Sequence, residues 1–361
     1  MRVSALNLPT TREEAWRWAD LSGLPALADA PATGKAIEPV WIGDGPRLLF
    51  VDGQFDQSRS APGPVVVGQT GAASDHPLAK FATGPGWTLT LGKDAATPEG
   101  AIEIVHIATG GANHLPASIA MAEDAQGSIV ETYLGDGWAN RLTRITLGRS
   151  ARLMRAIRID QASGFTSLRD EATLGAGASL VTTILAGGAG SSRLDANIRI
   201  EGAGAFAEHG GALLARDDQR HDAAVVIHHA SEQGTSRQLW RAVADDRAIA
   251  SMAARVEVAR HAQKTDGEQS LRGLMLKRSA TINLKPELEI FADDVKCAHG
   301  ATVGELDQRA LFYMQSRGIA PDRARALLTH AFIADAIARV GDEPVREALM
   351  ADADRWLDVA L

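Results

Sequence analysis

The chain contains one cysteine, Cys297, in 361 residues, so no internal disulfide can form; this usage agrees with a reducing compartment and predicts a cytoplasmic protein. Basic residues are in deficit, with 37 Lys and Arg against 45 Asp and Glu and a formal net charge of -8. A surface that binds nucleic acid needs clustered Lys and Arg to contact phosphates, so this balance excludes nucleic acid as the expected partner. Long apolar runs are missing as well. No window reaches the length of a membrane span, and the opening MRVSALNLPTTREEAW has neither the basic start nor the apolar run of a signal peptide. No membrane contact is expected.

The usual signatures of catalysis are also absent. The run Gly187-Gly188-Ala189-Gly190-Ser191-Ser192 lacks the Gly-Lys-Ser/Thr ending that engages phosphate and magnesium, and tight turns account for its glycines. There is no GxSxG elbow, and no carboxylate pair in a context that marks a glycosidase or lyase. His209, His221 and His261 have no partner at HxxxH or HExxH spacing and read as structural. His228 and His229 are adjacent, so on a strand they face opposite sides and cannot both ligate one ion.

With 45% hydrophobic residues, the chain can bury a substantial core. Thr11 and Glu14 have capping-box spacing, and Ala15, Trp16, Ala19 and Leu21 give an apolar stripe up to Gly23, predicting a short N-terminal helix. A Pro- and Gly-rich stretch follows, with short apolar runs at 47–51 and 64–67 that read as strands. In the middle of the chain Leu147-Gly148, Leu174-Gly175 and Glu201-Gly202 recur 27 residues apart, each leading into a small-residue turn and an apolar run. Overlaying 174–200 on 201–227 matches Gly175 with Gly202, Arg193 with Arg220, Asp195 with Asp222 and Ile200 with Ile227. Such a period, with glycine turns in place of long helices, points to parallel coils that each cover their neighbour's apolar face; a Gly/Ala-rich antiparallel sandwich is the alternative. Further strands are expected at 253–258, 272–277, 280–284 and 287–291.

After Gly304 the apolar period becomes helical. One helix is predicted from Leu306 to Arg317, ending at Gly318, a second opens at Pro321 and runs to Gly341, and a third begins at Pro344. These helices would either cap the open end of the coils or dock a partner. The expected organisation is thus an N-terminal helix and loop-rich region over 1–100, a β core over 101–303 and a helical domain over 304–361.

Cys297-Ala298-His299 lies at the junction of the last two regions. On an extended strand the thiol and the imidazole project to the same side, a soft metal-binding pair aimed one way. Its alternative is a buried structural cysteine beside a hydrogen-bonded histidine. An iron–sulfur cluster takes about four protein ligands, so any cluster bound here would have to be shared. Lys296 favours a thiolate while Asp293 and Asp294 oppose it, which leaves the reactivity of the thiol open.

The segments ARHAQKTDGEQS at 259–270, KPELEIFADDVKCAHGATVGELD at 285–307 and ALFYMQSRGI at 310–319, in that order, resemble the SufB/SufD family of iron–sulfur cluster assembly proteins, in its SufD-type form. TREEAWRW near the start resembles the family's leading helix. The resemblance covers the C-terminal third and, by pattern, the middle of the chain. It implies a right-handed parallel β-helix between helical ends, pairing with a SufB-like paralogue and binding a SufC-like ATPase through the C-terminal helices. It further implies that a transient iron–sulfur cluster forms at the interface with SufB, with His299 of the KCxHG motif as ligand and Cys297 as the accompanying cysteine. SufB-type chains carry a glutamate where this chain keeps CxHG.

The expected function is therefore that of a non-catalytic scaffold subunit in a SufBCD-type complex, with ATP hydrolysis confined to the SufC partner. Two other readings stand beside it: a stand-alone β-helix enzyme using Cys297 as nucleophile and His299 as base, and a purely structural binding module.

Overall fold

A computed structural model describes residues 6–98 and 100–360; residues 1–5, on which the expectation of no signal peptide partly rests, and residues 99 and 361 lie outside it. Strands run from Arg47 to Glu305. The first are β1 (Arg47–Val51), β2 (Gln54–Phe55), β3 (Val65–Gln69) and β4 (Pro85–Leu91), followed by the long β5 (Ile102–Met121) and β6 (Gln126–Leu147). Shorter strands then succeed one another: β7 (Arg152–Gln161), β8 (Phe165–Leu174), β9 (Ser179–Ala186), β10 (Ser191–Ile200), β11 (Phe206–Ala215) and β12 (Arg220–His229). The last five are β13 (Thr235–Ala244), β14 (Ile249–Val258), β15 (Asp266–Met275), β16 (Thr281–Ile290) and β17 (Lys296–Glu305).

From β7 onward each strand pairs in parallel with the second strand after it, so odd- and even-numbered strands form two ladders around a common interior. β5 and β6 bend from one ladder into the other, and β1 and β4 begin the two ladders against the two halves of β5. The result is a parallel β-helix of about eight turns. Antiparallel strand pairing among the described residues is confined to β1–β2 and β3–β4, so the sandwich alternative is not what forms. Inward side chains such as Leu153, Ile157, Leu168, Ala172, Leu194 and Ile198 make one continuous core along the axis. A single coil has no second layer against which to bury them; stacked coils do.

The glycine repeat marks a corner of the helix. Gly148, Gly175 and Gly202 stack so closely that a Cβ on Gly202 would stand 1.9 Å from Ala176 N. The 27-residue register holds between β9 and β11, where Ser179 lies opposite Phe206. It does not hold for the next pair of strands. Arg193 lies opposite Asp222, a register of 29, because β11 has 10 residues where β9 has 8. A slip of two preserves the face of every side chain, so the interior tolerates it. The runs expected at 280–284 and 287–291 form one strand, β16, with Pro286 inside it. β16 ends its ladder, and an edge strand accepts a missing N–H.

Both outer faces are partly covered. Near the N-terminus the predicted capping box does not form; Glu14–Trp16 is one 3₁₀ turn, preceded by a bond from Thr10 N–H to the Glu13 carboxylate at 2.9 Å. The next element is a short helix, α1 (Leu24–Asp29). Trp16, Ala19, Leu21 and Leu24 nevertheless bury their side chains, with Leu78, against Trp138 on the even ladder. At the C-terminal end lie α2 (Gln308–Ser316), α3 (Pro321–Ile337) and α4 (Glu343–Ala360). α2 closes as its sequence predicts, with Gly318 at φ 87° and N–H bonds from Gly318 to Gln315 O and from Ile319 to Met314 O.

These helices do not cap the last coil. Ile333, Ile337, Leu349, Trp356 and Leu357 pack on Val130, Ala156, Leu185, Leu214 and Val243, the outward side chains of the odd ladder. Arg158 fixes this placement, donating to Asp352 at 2.7 and 2.9 Å, and Arg241 does the same with Asp335. The end of the β-helix at β16 and β17 is left open. Among the described residues no helix is long and apolar enough to cross a membrane.

Candidate functional site

β17 is the final strand of the odd ladder and pairs only with β15, so one of its edges carries unpaired backbone groups. Nearly all of it is exposed. Cys297 stands opposite Gly267 and His299 opposite Gln269, and both Gly267 and Gln269 are buried inward positions of β15. The two candidate ligands therefore share the inward face of the last coil, as their spacing predicts. Among the described residues no further coil lies over them.

Their surroundings differ. Cys297 is half-buried, packed with Val256, Val258, Ala262, Ala292, Leu288 and Val295. Burial pushes its thiol up from the usual value, the charge of Asp266 adds to this, and a hydrogen bond with the Gly267 backbone works against it. Burial, rather than Lys296 or the aspartates at 293 and 294, thus dominates at the thiol. His299 is exposed. Around the pair, among the described residues, no cluster of three His, Cys, Asp or Glu is placed to hold a metal ion. The arrangement offers one soft sulfur and one imidazole on an open edge, which is part of a coordination sphere.

The other histidines are placed by the fold. His228 points outward, with Nδ1 2.5 Å from a Glu257 carboxylate oxygen; His229 points inward, with Nε2 2.8 Å from Ser236 Oγ. Burial lowers His229 to about 4, and it does the same to His221, whose Nδ1 lies 2.8 Å from Ser192 Oγ. His261 Nε2 is 2.8 Å from Ala230 O at the surface.

Sequence reasoning missed a charged network inside the coils. Arg155 donates to Glu131 at 2.8 Å and to Asp170 at 2.7 Å, Arg141 also pairs with Glu131, and Tyr133 donates to Glu131 at 3.1 Å. Burial alone would raise Glu131, but Arg141 and Arg155 outweigh it and hold the carboxyl at about 2. Burial likewise opposes ionisation of Asp170, and Arg155 holds it well below the ordinary carboxylate range. A signal was present: Glu131, Arg155 and Asp170 fall at the inward phase of their strands, next to the apolar inward residues Ile129, Leu153, Ile157, Leu168 and Ala172.

Apolar side chains are exposed at two further places near the open end. Ile290, Phe291 and Val303 belong to the last coil, and Phe312 and Tyr313 to α2, where they are 74% and 60% exposed. Solitary exposed apolar residues are common, but groups of them mark contact surfaces.

Comparison with known proteins agrees with this architecture. The SufBD core domain of the SUF system for FeS cluster assembly matches residues 106–332, more than half of the chain. The chain is 26% identical to the iron–sulfur cluster assembly protein SufD of Escherichia coli (strain K12), over 96% of its own length and 88% of that protein's. It is 28% identical to an iron–sulfur cluster assembly SufBD family protein of Mycobacterium leprae (strain TN), over 99% of its own length and 92% of the relative's. A shorter stretch, 34% of this chain and 26% of the relative, is 40% identical to the chloroplastic protein ABCI7 of Arabidopsis thaliana. With the parallel β-helix, its helical ends and the ordered motifs around Cys297 and His299, these matches place the chain in the SufBD family of SUF-system iron–sulfur cluster assembly proteins.

Proposed function

We propose that the protein is a cytoplasmic, non-catalytic scaffold subunit that contributes His299, with Cys297 as companion, to a nascent iron–sulfur cluster completed by a SufB-like paralogue. The observation that carries this reading is the position of His299: an exposed imidazole on the inward face of an uncapped terminal coil, beside a thiol and with too few ligands nearby for a complete site. The cluster is cargo, held while it assembles. An open edge strand is a template for pairing with another chain, and Ile290, Phe291 and Val303 give that surface an apolar component. A SufC-like ATPase docks on the C-terminal helices, to which Phe312 and Tyr313 supply exposed aromatic anchors. ATP-driven motion in that partner then rearranges the shared interface.

The test is His299→Ala in the purified complex, with iron and acid-labile sulfide measured after reconstitution. The expected result is a marked loss of both; undiminished yield in an intact complex refutes the ligand role. Native mass spectrometry after co-expression with neighbouring open reading frames is expected to show the chain bound to a paralogous β-helix chain and an ATPase. A Cys297 nucleophile is disfavoured, since burial raises the thiol and works against the thiolate that such chemistry needs.

A further inference from the structure

His299 stands in ladder register with Gln269, one strand deeper on the same inward face. Gln269 is 1% exposed. Its carboxamide is anchored, because Nε2 donates to Glu287 O on the facing ladder at 3.2 Å, which identifies the other head atom as the oxygen. That oxygen is buried and has no hydrogen-bond partner. A buried acceptor left unpaired forgoes the hydrogen bond it would make to water, so its occurrence calls for a donor. Gln238, one coil further in, gives one Nε2 hydrogen to Arg255 O at 3.1 Å and has a likewise buried, unpartnered oxygen, and no hydrogen bond joins it to Gln269. The next polar side chain in the column, toward the open end, is His299.

We infer that Gln269 is a positioning residue: its carboxamide oxygen is the acceptor for the Nδ1–H of His299, which fixes the tautomer with Nε2 as the lone-pair nitrogen facing out of the coil. Nδ1 is the ring nitrogen nearer the backbone and Nε2 the one farther from it. A histidine that binds metal ordinarily donates its other N–H to such an acceptor, which orients the ring and raises its basicity. The importance of the pair rests on the ligand role proposed for His299, but its existence is measurable without metal.

The experiment is long-range ¹H–¹⁵N correlation of the imidazoles in the metal-free full-length protein, with His299 assigned by His299→Ala. The expected result is the Nδ1–H tautomer in the wild type, conversion toward Nε2–H in Gln269→Leu, and retention of Nδ1–H in Gln238→Leu. The ring signals of His229, in the same interior, report whether each variant is folded. A wild-type His299 in the Nε2–H form overturns the inference whatever the variants do, as happens if water satisfies the Gln269 oxygen. So does a folded Gln269→Leu protein that keeps Nδ1–H. In the reconstituted complex Gln269→Leu is expected to lower cluster retention about tenfold or more. If His299→Ala leaves cluster yield intact while the tautomer results stand, the ligand role fails and the positioning contact survives.

Discussion

Replacing Arg155 by Leu tests whether the charged network inside the β-helix behaves as a closed set. Two guanidiniums, Arg141 and Arg155, face two carboxylates, Glu131 and Asp170, all buried, so the charges balance. The substitution leaves one buried negative charge uncompensated and removes the bonds at 2.8 and 2.7 Å. Breaking a buried pair in this way costs about 3–5 kcal/mol. The depression of Glu131 from 4.5 to about 2, to which Arg141 contributes ahead of Arg155, is of the same order, roughly 3 kcal/mol of linkage shared across the network. With a denaturant slope of roughly 3 kcal/mol/M, the urea midpoint should fall by about 1–1.7 M.

The pH dependence supplies the sharper readout. In the wild type both carboxyls are depressed, so their contribution to stability is present above pH about 4 and is lost as pH falls through the folded value of about 2 for Glu131. In Arg155→Leu two buried carboxylates share one cation, which raises at least one of them above its unfolded value. That group then binds a proton in the native state first, and stability should rise as pH is lowered from 8 toward 5. Urea unfolding followed by tryptophan fluorescence at pH 8, 6.5 and 5 measures both effects. A loss below about 1 kcal/mol, or a variant whose stability changes with pH as the wild type's does, would refute the account of a dry, balanced network.

Three further substitutions test other levels of the structure. Phe312→Ala with Tyr313→Ala removes two side chains that are 74% and 60% exposed; stability should stay within about 0.5 kcal/mol while co-purification of the proposed ATPase partner falls, and unchanged co-purification counts against α2 as its dock. Phe291→Asp with Val303→Asp puts charge on the open end of the coils, so the proposed paralogous partner should be lost in native mass spectrometry, whereas a retained heterodimer moves that interface elsewhere. Gly202→Val places a Cβ 1.9 Å from Ala176 N at a stacked corner and should abolish folding or cost at least about 3 kcal/mol; a mild effect, read by the same urea titration, would mean that the coils part easily.

The repeat was legible because its cause is local. Gly148, Gly175 and Gly202 occupy three successive stacked corners, and the helical ends follow from Gly318 and Pro321, whose effects act within a turn. The shared face of Cys297 and His299 needed only the two-residue period of a strand. What escaped the sequence depends on distant partners. Ala15 cannot be seen to stay outside a regular helix until Arg193 is known to donate to its carbonyl at 3.0 Å and to lie 4.4 Å over the Trp16 ring. The register of 29 between β10 and β12 comes from two extra residues in β11, and the docking of α4 from Arg158 meeting Asp352 across 194 residues of chain. Periodicity identifies the faces of an element, and only the tertiary partner tells which face meets what.

That distinction bears on the open end. The C-terminal helices have an apolar face, and it is spent on the outward side of the odd ladder, where Val130, Ala156, Leu185 and Leu214 await it. It follows that this chain covers the flank of its β-helix and leaves exposed the coil that presents Cys297 and His299. In a protein that acted alone, such an edge would be a liability, open to pairing with any other strand. In the shared scaffold proposed above, the same exposure would tie ligand assembly to partner assembly, because the imidazole would acquire the remainder of its coordination sphere only when a second chain closed the end. On that proposal the cost of an uncapped terminus and the incompleteness of the ligand set would have one origin.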